Sequence, residues 1–296
     1  MVRIGIGLPA AVPGADATSI GEWAAESERR GFHSLSVIDR LVYDNVDPLV
    51  ALSAAAARTE RIELLTTVLN ALYRSNPVVL AKQIDSVERL SAGRLTVGLG
   101  MGGWPEDYAA SDVPLKRRGA AFEATVARMC EVWRGGVTGA SGPIPALPRG
   151  RPGLLLAGVV PAGFARAAAL SDGWVAPVFG LELLKEGADA VRREWERAGR
   201  PGRPRIIVER YFCLGTGAAK TAEAYVAHYY GAKAPPQARD DVITDRDGLR
   251  ESAGRLADAG ADDLVLLPCS GEFEQIGLLA DALDETGWKT DARESR

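Results

Sequence analysis

Histidine is almost absent from this chain of 296 residues, which carries only His33 and His228. That count excludes a metal centre built from several imidazoles. His33 sits in the helix-to-strand turn Arg30–Ser34 and reads as structural, so a Ser-His-Asp hydrolase would have to use His228. The Gly-x-Ser-x-Gly turn that presents such a serine is also missing. Cysteine is scarce and odd in number (Cys130, Cys213 and Cys269, far apart), which fits reduced thiols and a cytoplasmic location. No apolar run approaches the roughly 20 residues of a membrane span. The start, Met1-Val2-Arg3-Ile4-Gly5, lacks the regions of a secretion signal. Charge is not segregated: the net value is −4, with no basic half, so nucleic acid is not an expected partner. No predicted strand carries a lysine, which removes the nucleophile of a Schiff-base aldolase.

What is present is ordinary in amount, 47% hydrophobic and 25% charged, and regular in order. Apolar runs typical of strands buried on both faces are predicted at Val2–Leu8, Ser34–Ile38, Ile62–Leu69, Leu95–Gly100, Leu154–Ala157, Trp174–Pro177, Arg205–Leu214 and Asp263–Leu267. Amphipathic segments lie between them. Ser19 and Glu22 have capping-box spacing, Asn76-Pro77 reads as cap and first helical position, and Gly93 as a left-handed stop. The Gly- and Pro-rich stretch Gly135–Pro152 reads as a surface crossover, because the alternation resumes after it. Eight strand–helix units in one chain of this length predict a closed α/β barrel of the (β/α)8 type. It forms one domain over 1–296, with a polar insertion at about 231–247 after strand seven. An open doubly wound sheet plus a second domain is the alternative. The run from Arg192 to Arg205 has mixed signs and reads as a solvated face.

The most informative stretch is Val97-Gly98-Leu99-Gly100-Met101-Gly102-Gly103-Trp104, a glycine-rich exit from strand four. Glycines at a strand's C-terminal end let a flat ligand approach bare backbone, and that end of a barrel carries the chemistry. Gly98, Gly100 and Gly103 satisfy the dinucleotide spacing G-x-G-x-x-G. The context argues against a pyrophosphate site: the strand is the fourth, and no helix is predicted before about Arg117. A flat ligand resting on the turn, with Trp104 as a wall, is the preferred reading.

Five stretches resemble the bacterial luciferase-like family of flavin- and deazaflavin-dependent oxidoreductases. They are Glu26–Asp39, Thr67–Gln83, Leu90–Trp104, Ser171–Trp174 and Ala259–Val265, in the family's order and over most of the chain. The resemblance implies a (β/α)8 barrel holding FMN or F420 at its C-terminal mouth. It implies a cis peptide at Thr67-Val68 backing the ring, and contacts from Asn70, Gly100, Met101, Gly102 and Trp104. Asn70 reads equally as a turn cap. A phosphate turn is implied at Ala157-Gly158, with Arg166 as the nearest cation.

Asp39 matches the family carboxylate after strand two and would orient substrate or act as a base. Arg40 follows it where deazaflavin-using relatives usually have histidine. It would clamp an anion, or pair with Asp39 on the surface. Gly103 stands where some deazaflavin dehydrogenases carry glutamate, and Met101 where luciferases carry a phosphate-binding arginine. Tyr225, His228, Tyr229 and Tyr230 read either as a lid over the mouth or as helix packing.

The leading expectation is a two-component-type monooxygenase that takes reduced FMN from a separate reductase and acts with oxygen on a small organic substrate. Asp39 and Arg40 would be its catalytic residues, without a metal. The alternatives are hydride transfer with F420, which would pair it with an F420 reductase, and a non-catalytic flavin-binding barrel. The resemblance also implies a homodimer.

Overall fold

The computed structural model describes residues 2–285. Among them eight parallel strands close into a barrel: β1 (Arg3–Gly7), β2 (Ser34–Val37), β3 (Glu63–Asn70), β4 (Leu95–Gly100), β5 (Gly153–Ala157), β6 (Gly173–Val175), β7 (Arg205–Phe212) and β8 (Asp263–Pro268). The pairing runs β1-β8-β7-β6-β5-β4-β3-β2 and returns to β1. The predicted (β/α)8 architecture is therefore the observed one.

Side chains alternate between two apolar layers, as the strand period of two requires. Leu65, Leu155, Val175, Ile207 and Val265 fill the barrel interior. Leu64, Val97, Leu154, Ile206 and Leu264 face the helices outside. Three tryptophans are fully buried in that outer layer, and each indole N–H has an acceptor: Trp23 on the Gly7 carbonyl (3.1 Å), Trp133 on Ala81 (3.0 Å) and Trp174 on Gly158 (2.9 Å). A buried indole left without such a partner would be costly.

Some helices begin at cap residues that accept their orphan N–H groups. Asp47 accepts from Leu49 N–H (2.9 Å) at α2 (Pro48–Ala56), after α1 (Ile20–Arg29). Asn76 accepts from Val78 (3.0 Å) and Val79 (3.2 Å) at α3 (Pro77–Leu90). Ser19 does not cap α1 as its spacing predicts. Its backbone is already helical, its hydroxyl donates to the Asp16 carbonyl (2.7 Å), and Asp16 caps a short preceding turn instead.

A second correction concerns the glycine loop. Helix α4 (Pro105–Ala110) starts directly after Trp104, with proline first and Glu106 and Asp107 in its opening turn, long before α5 (Arg118–Trp133). Those three residues are a helix start in their own right.

The remaining helices are α6 (Pro161–Leu170), α7 (Leu181–Arg197), α8 (Ala218–Tyr230), α9 (Ala238–Asp241), α10 (Arg246–Asp258) and α11 (Glu274–Glu285). The Gly135–Pro152 crossover holds a two-residue hairpin, Thr138–Gly139 with Gly142–Pro143. The segment after α8 contains a 3-10 turn at Gly231–Lys233 and α9, and returns to the barrel through a bridge between Ile243 and Phe212. No helix among the described residues is long and apolar enough to cross a membrane.

The N-terminal end of the barrel is closed by charge. Arg205 binds both carboxylate oxygens of Glu63 (2.7 and 2.7 Å) and of Asp263 (2.8 and 3.0 Å), and Arg3 reaches Asp263 at 2.7 Å. His33 joins this layer beside Glu63 at 3.7 Å. The arginine run is thus not simply a solvated face: Arg205 belongs to this plug, Arg192 holds the Gly260 carbonyl (3.0 Å) and Arg200 that of Ala168 (2.8 Å). Their long stems let the charged heads reach backbone carbonyls.

Candidate active site

The opposite end of the barrel opens into a cavity of about 230 Å³. Its wall includes Asp39, Thr67, Val68, Asn70, Trp104 and Ala157 from the sequence-predicted set. Glu209, Tyr211, Tyr229 and Tyr230 complete the wall opposite.

Strand β3 shapes one side. Its pairing with β4 shifts register between Thr66 and Leu69, and the Thr67-Val68 peptide is cis, as the family resemblance implies. The glycines of β4 exist to meet this irregular strand. A Cβ on Gly98 would lie 2.2 Å from the Thr66 carbonyl oxygen, and one on Gly100 would lie 2.6 Å from Val68 Cγ2. Gly102, at φ +82°, would place a Cβ 2.1 Å from the Tyr73 hydroxyl. Met101 has its carbonyl held by the Tyr108 hydroxyl (2.5 Å). Gly100, Met101 and Gly102, expected as cofactor contacts, are therefore strand- and loop-packing positions and do not line the cavity. Gly158 is also absent from the wall; its carbonyl accepts the Trp174 indole and its Cα packs on Gly163. Gly103 does line the cavity, and no atom lies within 4 Å of where its Cβ would be.

Asp39 is held from several sides. One carboxylate oxygen accepts the Asn70 backbone N–H (2.8 Å), the other meets Arg74 (3.4 Å), and the Asn70 side-chain amide returns to the Asp39 carbonyl (2.8 Å). Asn70 therefore ties β3 to the end of β2. Burial pushes the Asp39 carboxyl up to about 6, against the pull of Arg74 and the Asn70 N–H.

Arg40, expected as a substrate clamp or as a surface partner of Asp39, does not pair with Asp39, which meets Arg74 instead. The Arg40 side chain is buried, with Nε on Asp107 (3.2 Å) and Nη2 on Glu106 (3.1 Å). Its guanidinium carbon lies 3.6 Å from the centre of the Trp104 ring. Asp107 is itself buried and also accepts the Val42 N–H (2.9 Å), so the turn after Asp39 and the start of α4 are one unit. Arginine here stacks on the ring and pairs with carboxylate at once, which its planar fork allows.

The mouth is aromatic. Trp104 meets Tyr229 and Tyr230 from α8, at ring-centre separations of 6.0 and 6.1 Å. The Tyr230 and Tyr211 hydroxyls are 3.0 Å apart. Lys233, from the insertion, sits 4.2 Å from the Trp104 ring centre and 3.4 Å from Glu106. Tyr229 and Tyr230 thus stand at the mouth. Tyr225 packs deeper, and His228 Nδ1 is 2.8 Å from the Tyr43 hydroxyl.

One wall residue escaped the sequence reading. Glu209 lies in β7 between Ile207 and Tyr211 on the strand's inward face, and it is buried. Its Oε1 has no hydrogen-bond partner. Burial pushes the carboxyl up to about 8, with the Thr67 hydroxyl and Arg210 acting the other way. The signal was parity: a carboxylate in an apolar strand, two residues from an inward aromatic, must face the lumen.

Among the described residues no cluster of His, Cys, Asp and Glu could hold a metal ion. The donor set suits a planar polar ring instead. It offers one bare backbone position, flanking aromatics, and two carboxyl groups. Beside Ala157 the ten-residue helix α6 presents an N-terminus that no side chain caps, a backbone suited to phosphate. Arg166, the cation expected there, is engaged by Glu123 (2.5 Å).

The family described as luciferase-like monooxygenase matches residues 2–287. An uncharacterized protein of Mycobacterium tuberculosis is 31% identical over 172 residues, 55% of this chain and 60% of that protein. An F420-dependent glucose-6-phosphate dehydrogenase of Tsukamurella paurometabola is 27% identical over 152 residues, 48% of this chain and 45% of that enzyme. The matched stretch thus spans 60% or less of either relative. Two solved structures share the fold. Monooxygenase RslO1 from Streptomyces bottropensis superposes with a TM-score of 0.75 at 22% identity, covering 96% of this chain and 99% of that one. An F420-dependent secondary alcohol dehydrogenase in complex with an F420-acetone adduct superposes at 0.76 and 16% identity, with coverages of 96% and 99%.

Proposed function

The chain belongs to the luciferase-like monooxygenase family, and from that premise we propose an oxidoreductase that uses F420 to exchange hydride with a small alcohol or carbonyl compound. The observation that carries this reading is Asp39, a buried carboxyl on the cavity wall whose proton affinity lies near neutrality. Hydride exchange at an alcohol carbon must be matched by a proton at its oxygen, and a group poised near the working pH moves it best. Gly103 in place of a glutamate, and Arg40 in place of a histidine, weigh against F420. Asp39 and Glu209 supply two acids in the same cavity. The partial match to an F420-dependent sugar-phosphate dehydrogenase supports the choice of cofactor.

In this reading Val68, Gly103 and Trp104 hold the deazaflavin ring, and the backbone around Ala157 with the start of α6 receives its phosphate. When bound, F420 supplies a two-electron hydride acceptor or donor. Asp39, ionised above about pH 6, takes the hydroxyl proton of an alcohol as its carbon is oxidised. Asn70 N–H and Arg74 hold that carboxylate in place. Trp104, Tyr229 and Tyr230 keep bulk water from the reacting atoms. In the reverse direction the protonated Asp39 returns the proton to the carbonyl oxygen.

A second reading, a monooxygenase fed with reduced FMN by a separate reductase, is favoured by the aromatic closure of the mouth, which suits protection of an oxygen-reactive ring. Anaerobic titration of the protein with F420 and with reduced FMN, followed by oxygen uptake, separates the two. Micromolar F420 binding without oxygen uptake supports the first. Oxygen uptake with reduced FMN and no F420 binding overturns it.

A further inference from the structure

The cavity wall contains no Lys, Arg or His among its lining residues, and it contains two carboxyl groups, Asp39 and Glu209. The cations nearby are engaged elsewhere. Arg74 bridges Asp39 and Asp47 (2.8 Å), Arg40 holds Asp107 and Glu106, and Lys233 meets Glu106. Arg210, next in sequence to Glu209, points to the other face of β7 and donates to the Val178 and Glu209 carbonyls, each at 2.7 Å.

The Thr67 hydroxyl is hydrogen-bonded to that of Ser36. It also acts on the Glu209 carboxyl, but Glu209 Oε1 remains a buried polar atom with no protein partner, on a residue of the cavity wall. Such an atom is costly unless something completes its hydrogen bond.

We propose that Glu209 is the specificity-determining residue of the cavity: as a neutral acid it binds the oxygen of an uncharged alcohol or ketone, and the site rejects phosphorylated substrates. The claim rests on the reading of the site as an alcohol–carbonyl oxidoreductase, and it departs from the phosphorylated sugar named for the partly matching relative. A phosphate group entering this wall would lose its hydration, meet no positive charge, and face two acidic side chains. A ketone oxygen, by contrast, needs only a donor, which a protonated carboxyl provides. An alcohol can also donate to the orphan oxygen.

The test measures binding of two probes, cyclohexanone and glucose 6-phosphate. Tryptophan fluorescence and calorimetry follow them in the protein alone and with F420 added. The proteins are the wild type, Glu209→Gln and Glu209→Ala, each first checked by circular dichroism. The wild type is expected to bind cyclohexanone and to ignore glucose 6-phosphate. Glu209→Gln, which keeps a neutral donor and acceptor, is expected to retain cyclohexanone within a few-fold. Glu209→Ala is expected to lose roughly tenfold in affinity, the scale of one buried hydrogen bond. Saturable binding of glucose 6-phosphate overturns the proposal. So does equal cyclohexanone affinity in Glu209→Ala and wild type, or no cyclohexanone binding in either setting. Failure of F420 to bind while this selectivity holds would sink the cofactor assignment and leave the role of Glu209 standing.

Discussion

The guanidinium carbon of Arg40 lies over the Trp104 ring, 3.6 Å from its centre, while its Nε holds Asp107 at 3.2 Å. One side chain thus fixes both the wall of the cavity and the helix start behind it. Arg40→Ala leaves Asp107 buried and without its cation. Losing one partner of a buried pair costs about 3–5 kcal/mol, so a large drop in the urea midpoint is expected, with a shifted Trp104 emission. Arg40→Lys should recover only part of it, since an ammonium cannot stack and pair in the same plane. A variant with unchanged stability but weakened substrate binding would instead restore the clamp role.

Asp39 carries a pH dependence with a definite sign. Its folded value, about 6, is above the ordinary 3.8. The folded state therefore holds this proton more tightly than the unfolded chain. The associated stability is full below pH 3.8 and is lost as pH rises through about 6. Asp39→Asn should flatten the stability profile between those limits. In activity it should abolish the acidic limb near pH 6 and lower kcat by about 10²–10⁴ fold, the scale of a lost proton-transfer group. Urea midpoints and kcat measured from pH 4.5 to 8 check both.

Gly98 and Gly103 make a matched pair. A Cβ at Gly98 would overlap the Thr66 carbonyl at 2.2 Å, and at Gly103 it would meet nothing. Gly98→Ala should cost about 1–3 kcal/mol or prevent folding, the penalty of overpacking against backbone. Gly103→Ala should leave thermal stability almost unchanged but weaken F420 binding, because its methyl enters the cavity. Melting curves and a fluorescence titration read the two effects separately.

Lys233 links the insertion to the mouth through Glu106 and the Trp104 ring. These contacts are half exposed and worth about 1 kcal/mol or less. Lys233→Ala should therefore hardly change the melting temperature, while cofactor dissociation becomes faster in stopped-flow. Raised salt should have the same effect on the wild type.

The barrel was readable because its cause is local: buried parallel strands are runs of apolar residues, and the intervening helices carry caps such as Asn76 and Asp47. Asp39, Thr67, Val68, Asn70, Trp104 and Ala157 came from matched motifs and do share one cavity. Sequence was silent where a residue's contacts depend on chain far away in sequence. Gly100 and Gly102 read as ligand cradles, but their lost side chains make room for Val68 and Tyr73. Arg40 read as an anion clamp because Asp107, 67 positions later, could not be foreseen as its partner. Glu209 was overlooked although strand parity alone would have turned it inward; the motifs drew attention only to strand ends.

The ionic plug around Arg205 has a wider consequence. It fastens β1, β3, β7 and β8 at the rim remote from the cavity, so the scaffold does not depend on its catalytic rim for closure. The loops that meet the ligand are free to be rewritten, by evolution or by an engineer, without loosening the vessel they decorate.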